Sequence, residues 1–170
     1  MSKPTLILTR PLPQSQDFLL ELSKMLGETP KCIISPLLEI RYLPENSPSS
    51  QPQALLFTST NGVTAFTNVS DDRTPLALCV GPSTCRAATA AGFQAQNADG
   101  TADDLRQLTI QKLDPNLGKI IYVSGRDSAH DVTDSLRKHG FDAERVVFYE
   151  QRPMALSRDA KTALSNGPTV

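Results

Sequence analysis

Four short stretches of this chain carry small hydroxyl groups, glycine or arginine where the backbone turns: Thr9-Arg10-Pro11, Thr58-Ser59-Thr60-Asn61, Gly81-Pro82-Ser83-Thr84 and Ser124-Gly125-Arg126. Each ends a short apolar run, and most precede a helical pattern. The first N–H groups of a helix have no intrahelical partner and the helix dipole favours negative charge there, so such turns suit anions. A guanidinium adds a fork that fits a carboxylate, which singles out Arg10 and Arg126. Together the four turns read as a receptor for a polyanion. Singly they have a plainer reading: Ser, Thr and Asn cap helices in any protein, and a surface arginine is equally a solvated one. Tyr149, at the end of Val146-Val-Phe-Tyr, reads on its residues alone as a half-buried aromatic with its hydroxyl in water.

Other chemistries find little support. No Ser/His/Asp arrangement and no suggestive pair of carboxylates appears, so the chain must work through oriented hydrogen bonds. Gly81 stands alone, outside any G-x-G-x-x-G or P-loop pattern, which leaves nucleotide binding unsupported. His130 and His139 fall on a predicted helix, His139 in its last turn where imidazole complements the dipole, and neither is chosen as a catalyst. The three cysteines, Cys32, Cys79 and Cys85, form no C-x-x-C pair and have no metal-ligand spacing. Cys32 and Cys79 read as buried strand thiols, and neither a metal nor another cofactor is expected. A net charge of -1, with 39% hydrophobic and 21% charged residues, describes a globular chain without an electrostatic footprint for nucleic acid. No apolar run approaches a membrane span, and Met1-Ser-Lys-Pro leads into a strand without a signal-peptide core, so the expectation is a cytoplasmic protein with no membrane partner.

The elements that must position these turns alternate. Thr5–Thr9 reads as a strand, Phe18, Leu19, Leu22, Met25 and Leu26 as a helix stopped by Gly27, Lys31–Ser35 as a strand and Leu37–Leu43 as a further extended run. Pro44–Gln53, rich in Pro, Ser, Asn and Gln, reads as a linker. A second series follows: strand Ala54–Phe57, a helix from Thr60, strand Leu76–Val80, helix Ser83–Ala91 stopped by Gly92, and a weak strand near Phe93. Thr101 can cap a helix through Leu113, Lys119–Val123 is a strand, Asp127–His139 a helix closed by Gly140, and Val146–Tyr149 a strand. Ala155–Asn166 makes a moderate helix and Gly167–Val170 the turn into another strand. Such alternation predicts the α/β class, parallel sheet with helices on both faces, whose ligands bind beyond the carboxyl ends of the strands. At 170 residues there is room for one ordinary domain or two small ones.

The order of several motifs resembles the uroporphyrinogen-III synthase family: Leu6-Ile-Leu-Thr-Arg-Pro11, Ser35-Pro-Leu-Leu-Glu-Ile40, Leu56-Phe-Thr-Ser-Thr-Asn-Gly-Val63, Val80-Gly-Pro-Ser-Thr84, Ile121-Tyr-Val-Ser-Gly-Arg126 and Val147-Phe-Tyr-Glu-Gln-Arg-Pro153. Each motif is degenerate; their order and spacing over nearly the whole chain carry the likeness. The resemblance implies two flavodoxin- or Rossmann-like parallel-sheet domains joined by a two-stranded linker. Residues 1–36 with 153–170 would form a discontinuous and incomplete domain one, 44–146 domain two, and 37–43 and 147–152 the linker strands. In the family the chain continues into the rest of domain one, so weak or absent activity and a poorly buried domain one are expected of this sequence.

The resemblance further implies a carbon-oxygen lyase that takes a small molecule, the linear tetrapyrrole polycarboxylate hydroxymethylbilane. The enzyme removes water, inverts the terminal pyrrole ring and closes uroporphyrinogen III for haem biosynthesis, without a cofactor and, if intact, as a monomer. By the same resemblance Tyr149 is the catalytic residue, and Ser59, Thr60, Asn61, Ser83, Thr84, Ser124, Gly125 and Arg126 bind substrate, with Thr9 and Arg10 reaching it from domain one. The alternative is a non-catalytic α/β module that binds anions or tetrapyrroles. A receiver-like version of it would want an acidic cluster at its strand ends, where this chain offers Thr-Arg-Pro, Thr-Ser and Gly-Pro-Ser-Thr.

Overall fold

Short strands of Leu, Ile, Val and Ala recur between helices with one apolar stripe, and each needs a neighbour on both edges and both faces to bury it. The computed structural model describes residues 4–44, 51–128 and 131–166. His130, most of the Pro44–Gln53 linker and the Gly167–Val170 turn lie outside the described residues. The chain divides into unit 1, residues 1–41 and 151–170, and unit 2, residues 42–150.

In unit 1, β1 (Leu6–Leu8) and β2 (Cys32–Ile34) pair in parallel, Leu6 opposite Cys32 and Leu8 opposite Ile34. The crossover is α1 (Leu12–Leu26), which Gly27 closes in the left-handed region at φ 71°, where a side chain is strained. Helix α6 (Arg158–Asn166) follows Ser157, whose N–H donates to Ser35 Oγ at 2.8 Å. Among the described residues β1 and β2 form a two-stranded sheet, and Cys32 is half-buried rather than enclosed as expected.

β3 (Leu38–Tyr42) and β8 (Ala143–Pro153) each begin in one unit and end in the other. Met154 N–H donates to Leu37 O at 2.8 Å and Leu43 N–H to Phe148 O at 2.8 Å, so the two strands run antiparallel. β8 starts three residues before the expected Val146 and continues past Tyr149.

Unit 2 contains β4 (Ala54–Phe57), β5 (Leu76–Cys79), β6 (Ala95–Asn97) and β7 (Ile120–Gly125), and the sheet order is β3-β8-β7-β4-β5-β6. From β4 the chain steps outward through β5 to β6, then returns to lay β7 and β8 on the other side. The reversal falls between β4 and β7, the place where a doubly wound sheet opens a crevice at its carboxyl edge. All four β4 residues are buried, as a central strand covered on both faces requires. On one face Leu56, Leu78, Ile120 and Tyr122 join Leu105 of α4 (Ala102–Lys112) and Leu136 of α5 (Thr133–Lys138). On the other, Phe57, Phe66, Phe93 and Phe148 pack with ring centroids 5.8 to 6.3 Å apart. Here α2 (Thr60–Thr67) comes close enough that a Cβ on Gly62 would meet Val123 O at 3.3 Å. The remaining helix, α3 (Pro82–Ala90), ends before Gly92, which adopts φ 96°.

One helix is much shorter than its sequence suggested. Of the expected Asp127–His139 segment, Asp127, Ser128, Asp131 and Val132 are not helical and α5 begins at Thr133. Asp131 Oδ1 accepts both the Thr133 N–H at 2.9 Å and the Thr133 hydroxyl at 2.6 Å, a local bond that competes with an earlier helical turn. His139 is the C-cap, its Nδ1 2.8 Å from Ser135 O.

Candidate functional site

Two turns meet at the strand-order reversal, one leaving β4 and one leaving β7. At the first, Ser59 is the N-cap of α2 and its Oγ accepts the Asn61 N–H at 3.2 Å. Ser59 also lies in hydrogen-bond contact with the Tyr149 phenol, which it pulls toward the ordinary range. Thr60 and Asn61, in the first turn of α2, are half-buried beside it.

At the second turn β8 is irregular. Ser124 pairs with Val147 but Gly125 with Tyr149, so Phe148 is an extra residue in a bulge. A regular strand points successive side chains to opposite faces. The bulge cancels one alternation, so Phe148 packs on Phe66 of α2 at 5.8 Å while Tyr149 also turns to the face carrying Ser59. Tyr149 is 6% exposed, not half in water as its residues alone suggested. Burial pushes its phenol above the ordinary tyrosine range, and Tyr122 and Tyr42 push the same way. The hydrogen bonds with Ser59 and the Gly125 backbone pull back in part. All three tyrosines of the chain therefore act on one site.

Ser124, Gly125 and Arg126 are placed differently from a helix-headed anion turn, because α5 begins at Thr133. Ser124 is fully buried and its Oγ accepts from Arg145 Nε at 2.9 Å. Arg145 also donates to the carbonyls of Gly125 and Arg126, each at 3.0 Å, which fixes the turn from behind. Arg126 lies exposed and pairs with Glu150, Nε to Oε2 3.1 Å.

Ser83 and Thr84 occupy the first turn of α3, beyond β5 and next to β4 in the sheet. Ser83 is exposed, Thr84 is 7% exposed, and the Gly81 N-cap supplies no side chain to the first N–H groups. Thr9 and Arg10 belong to unit 1, exposed after β1, and the Arg10 guanidinium lies 5.8 Å from the Phe18 ring centre.

Sequence reasoning missed Tyr122, Ser128 and Arg145, and named Thr58 only as part of its turn. Tyr122 is 1% exposed, its OH 3.2 Å from Thr58 Oγ1 and 2.6 Å from Ser128 Oγ. These three hydroxyls stitch the β4 turn to the β7 turn across the crevice. Among the described residues no group of three or more His, Cys, Asp or Glu side chains is placed to hold a metal ion, and no helix is long and apolar enough to cross a membrane.

A comparison with curated proteins finds no match. Among solved structures, uroporphyrinogen-III synthetase from Helicobacter pylori superposes with a TM-score of 0.60 at 17% identity, over 96% of this chain and 68% of that one. A mutant uroporphyrinogen III synthase from the extremely thermophilic bacterium Thermus thermophilus gives 0.54 at 17% identity, over 89% of this chain and 64% of that one. Its wild-type form gives 0.50 at 18% identity, over 89% and 63%. The chain thus spans about two thirds of the length of these proteins, and at such identities the likeness is one of fold. A family description, "Uroporphyrinogen-III synthase HemD", matches residues 22–170, from within α1 and through β2 to β8, and by that match the chain belongs to the uroporphyrinogen-III synthase HemD family.

Proposed function

We propose that this chain carries the cyclisation chemistry of its family. It would bind hydroxymethylbilane by its acetate and propionate groups, assist loss of the terminal hydroxyl as water, and direct closure with inversion of the last pyrrole ring. The observation that carries the reading is the Tyr149 phenol. The phenol is 6% exposed, lies in hydrogen-bond contact with Ser59 and the Gly125 backbone, and has its ring against Gly125. A phenol so held can hand its own proton, or a hydrogen bond, to a departing hydroxyl.

Because the linear substrate also cyclises spontaneously without inversion, selecting one fold of the chain is the main catalytic task. The first-turn N–H groups of α2 and α3, with Ser59, Thr60, Asn61, Ser83 and Thr84, are the proposed carboxylate contacts in unit 2. Gly125 and Arg126 flank them, Ser124 braces their turn, and Thr9 and Arg10 are the proposed contacts of unit 1. We assign units 1 and 2 to the two domains of the family, with β3 and β8 as the strands that join them. The chain is assigned to the cytoplasm, as a monomer free of cofactor, metal and nucleic acid.

The experiment is to supply freshly generated hydroxymethylbilane and resolve the type I and type III isomers of the product. Type III above the spontaneous background, reduced about tenfold or more by Tyr149→Phe but not abolished, supports the reading. A fully retained rate in Tyr149→Phe removes Tyr149 from it. The chain spans 63% to 68% of the solved structures it resembles, which favours one other reading, a module that binds the tetrapyrrole without closing it. Saturable binding with only type I product selects that second reading, and absence of binding rejects both.

A further inference from the structure

Gly125 is the residue opposite Tyr149 in the β7–β8 pairing, and the space above its Cα is filled by the phenol ring. A Cβ built there would lie 2.7 Å from Tyr149 Cε2, 2.9 Å from Cζ and 3.2 Å from the hydroxyl oxygen. Real Cβ atoms essentially never approach other atoms that closely, so any other residue moves the ring or the strand. The φ of Gly125 is not positive, so its lack of a side chain, rather than an unusual backbone, is what the position uses. A regular β8 would set Phe148 against Gly125 and carry Tyr149 to the opposite face, toward α4 and α5 and away from Ser59. Two features, the missing Cβ and the one-residue bulge, are each necessary for the phenol to reach the crevice.

We propose that Gly125 and the bulge at Phe148 act together as a seat that aims Tyr149, making Gly125 a positioning residue rather than a substrate contact. The ring lies over Gly125, takes the Gly125 backbone hydrogen bond, and is thereby held within reach of Ser59. The catalytic consequence rests on the proposed function of Tyr149; the seat itself does not. Of the alternatives, the Cys79–Cys85 thiol pair has no third ligating side chain among the described residues, and the exposed apolar surface of unit 1 offers nothing that identifies an occupant.

The chain has three tyrosines and no tryptophan, so a protein labelled at tyrosine Cζ gives three carbon resonances, assigned by the signal lost in each Tyr→Phe variant. In the parent protein the Tyr149 signal titrates above the ordinary range. In Gly125→Ala it is expected to fall back toward the ordinary tyrosine range. An unchanged Tyr149 titration in folded Gly125→Ala overturns the seat, whatever the activity. If Gly125→Ala alone does not fold, Gly125→Ala with Tyr149→Ala must, because the colliding ring is gone; failure of that pair to recover the fold also overturns it. Turnover separates the two claims. A lost Tyr149 shift with type III formation as low as in Tyr149→Phe, and no lower in the double variant, supports both. A lost shift with full turnover keeps the seat and ends the catalytic role of Tyr149.

Discussion

Cys79 ends β5 with no exposure, and burial pushes its thiol up to about 12 from 9.0, with Cys85 adding to the shift. The folded state therefore keeps this proton at a pH where the unfolded chain releases it. The stabilisation is complete below pH 9 and declines as the pH rises toward 12. Cys32, also raised by burial, contributes with the same sign, so in the window from about pH 9 to 10 the part due to Cys79 is the difference between the parent and Cys79→Ala. Urea unfolding across that window should show stability falling with pH in the parent and a flatter profile in Cys79→Ala, whatever the absolute stability of that variant. Identical slopes would show that Cys79 is not the linked group. The burial of Cys79 was readable from Leu76-Ala-Leu-Cys, a run with no polar break. The part played by Tyr122 was not. In Ile120-Ile-Tyr-Val it looks like any strand aromatic, and only the register that sets it opposite Leu56 brings its hydroxyl to Thr58 and Ser128.

Helix α2 shows what one cap does for both structure and site. It has eight residues, short enough that tertiary support and capping decide whether it persists. Ser59 supplies the cap through the Asn61 N–H and also bonds Tyr149. Ser59→Ala should cost about 1 kcal/mol of stability through the lost cap. It should also move the Tyr149 titration further upward, since the Ser59 hydrogen bond is what lowers it. Thermal unfolding reads the first effect and the alkaline titration the second; a stability loss with no change in Tyr149 would confine Ser59 to capping. Patterning made α2 and β4 visible, because Ala54–Phe57 is uniformly apolar and Thr58-Ser59-Thr60 follows at once. The same logic overextended α5, since Asp127-Ser128 resembles a cap while the actual local bond is made by Asp131. The bulge in β8 left no mark in Val146-Val-Phe-Tyr, whose residues suit a strand in either register.

The two units differ in how completely they bury apolar surface. Unit 2 holds nearly all the enclosed apolar side chains, whereas among the described residues of unit 1 only Leu8 and Ala160 are buried ones. Conversely, among the described residues every exposed large apolar side chain except Leu117 lies in unit 1, with Leu20 and Leu26 each 56% exposed and Met25 84% exposed. The alternating rhythm of the sequence marked both stretches as α/β, and the expected poor burial of the first agrees with the few apolar side chains that β1, β2, α1 and α6 enclose among the described residues. Local stability follows buried apolar contact, so opening should cost far less in unit 1 than in unit 2. Amide hydrogen exchange is the direct measurement: β4, β5 and β7 should exchange only through global unfolding of unit 2, with protection that falls together as urea is added. β1, β2 and α1 should exchange at least about a hundredfold faster and with little urea dependence. If β1 and β2 instead share the slow class, unit 1 draws stability from a source other than its own core, and Thr9 and Arg10, the proposed contacts of unit 1, stand on a firmer base than their burial implies.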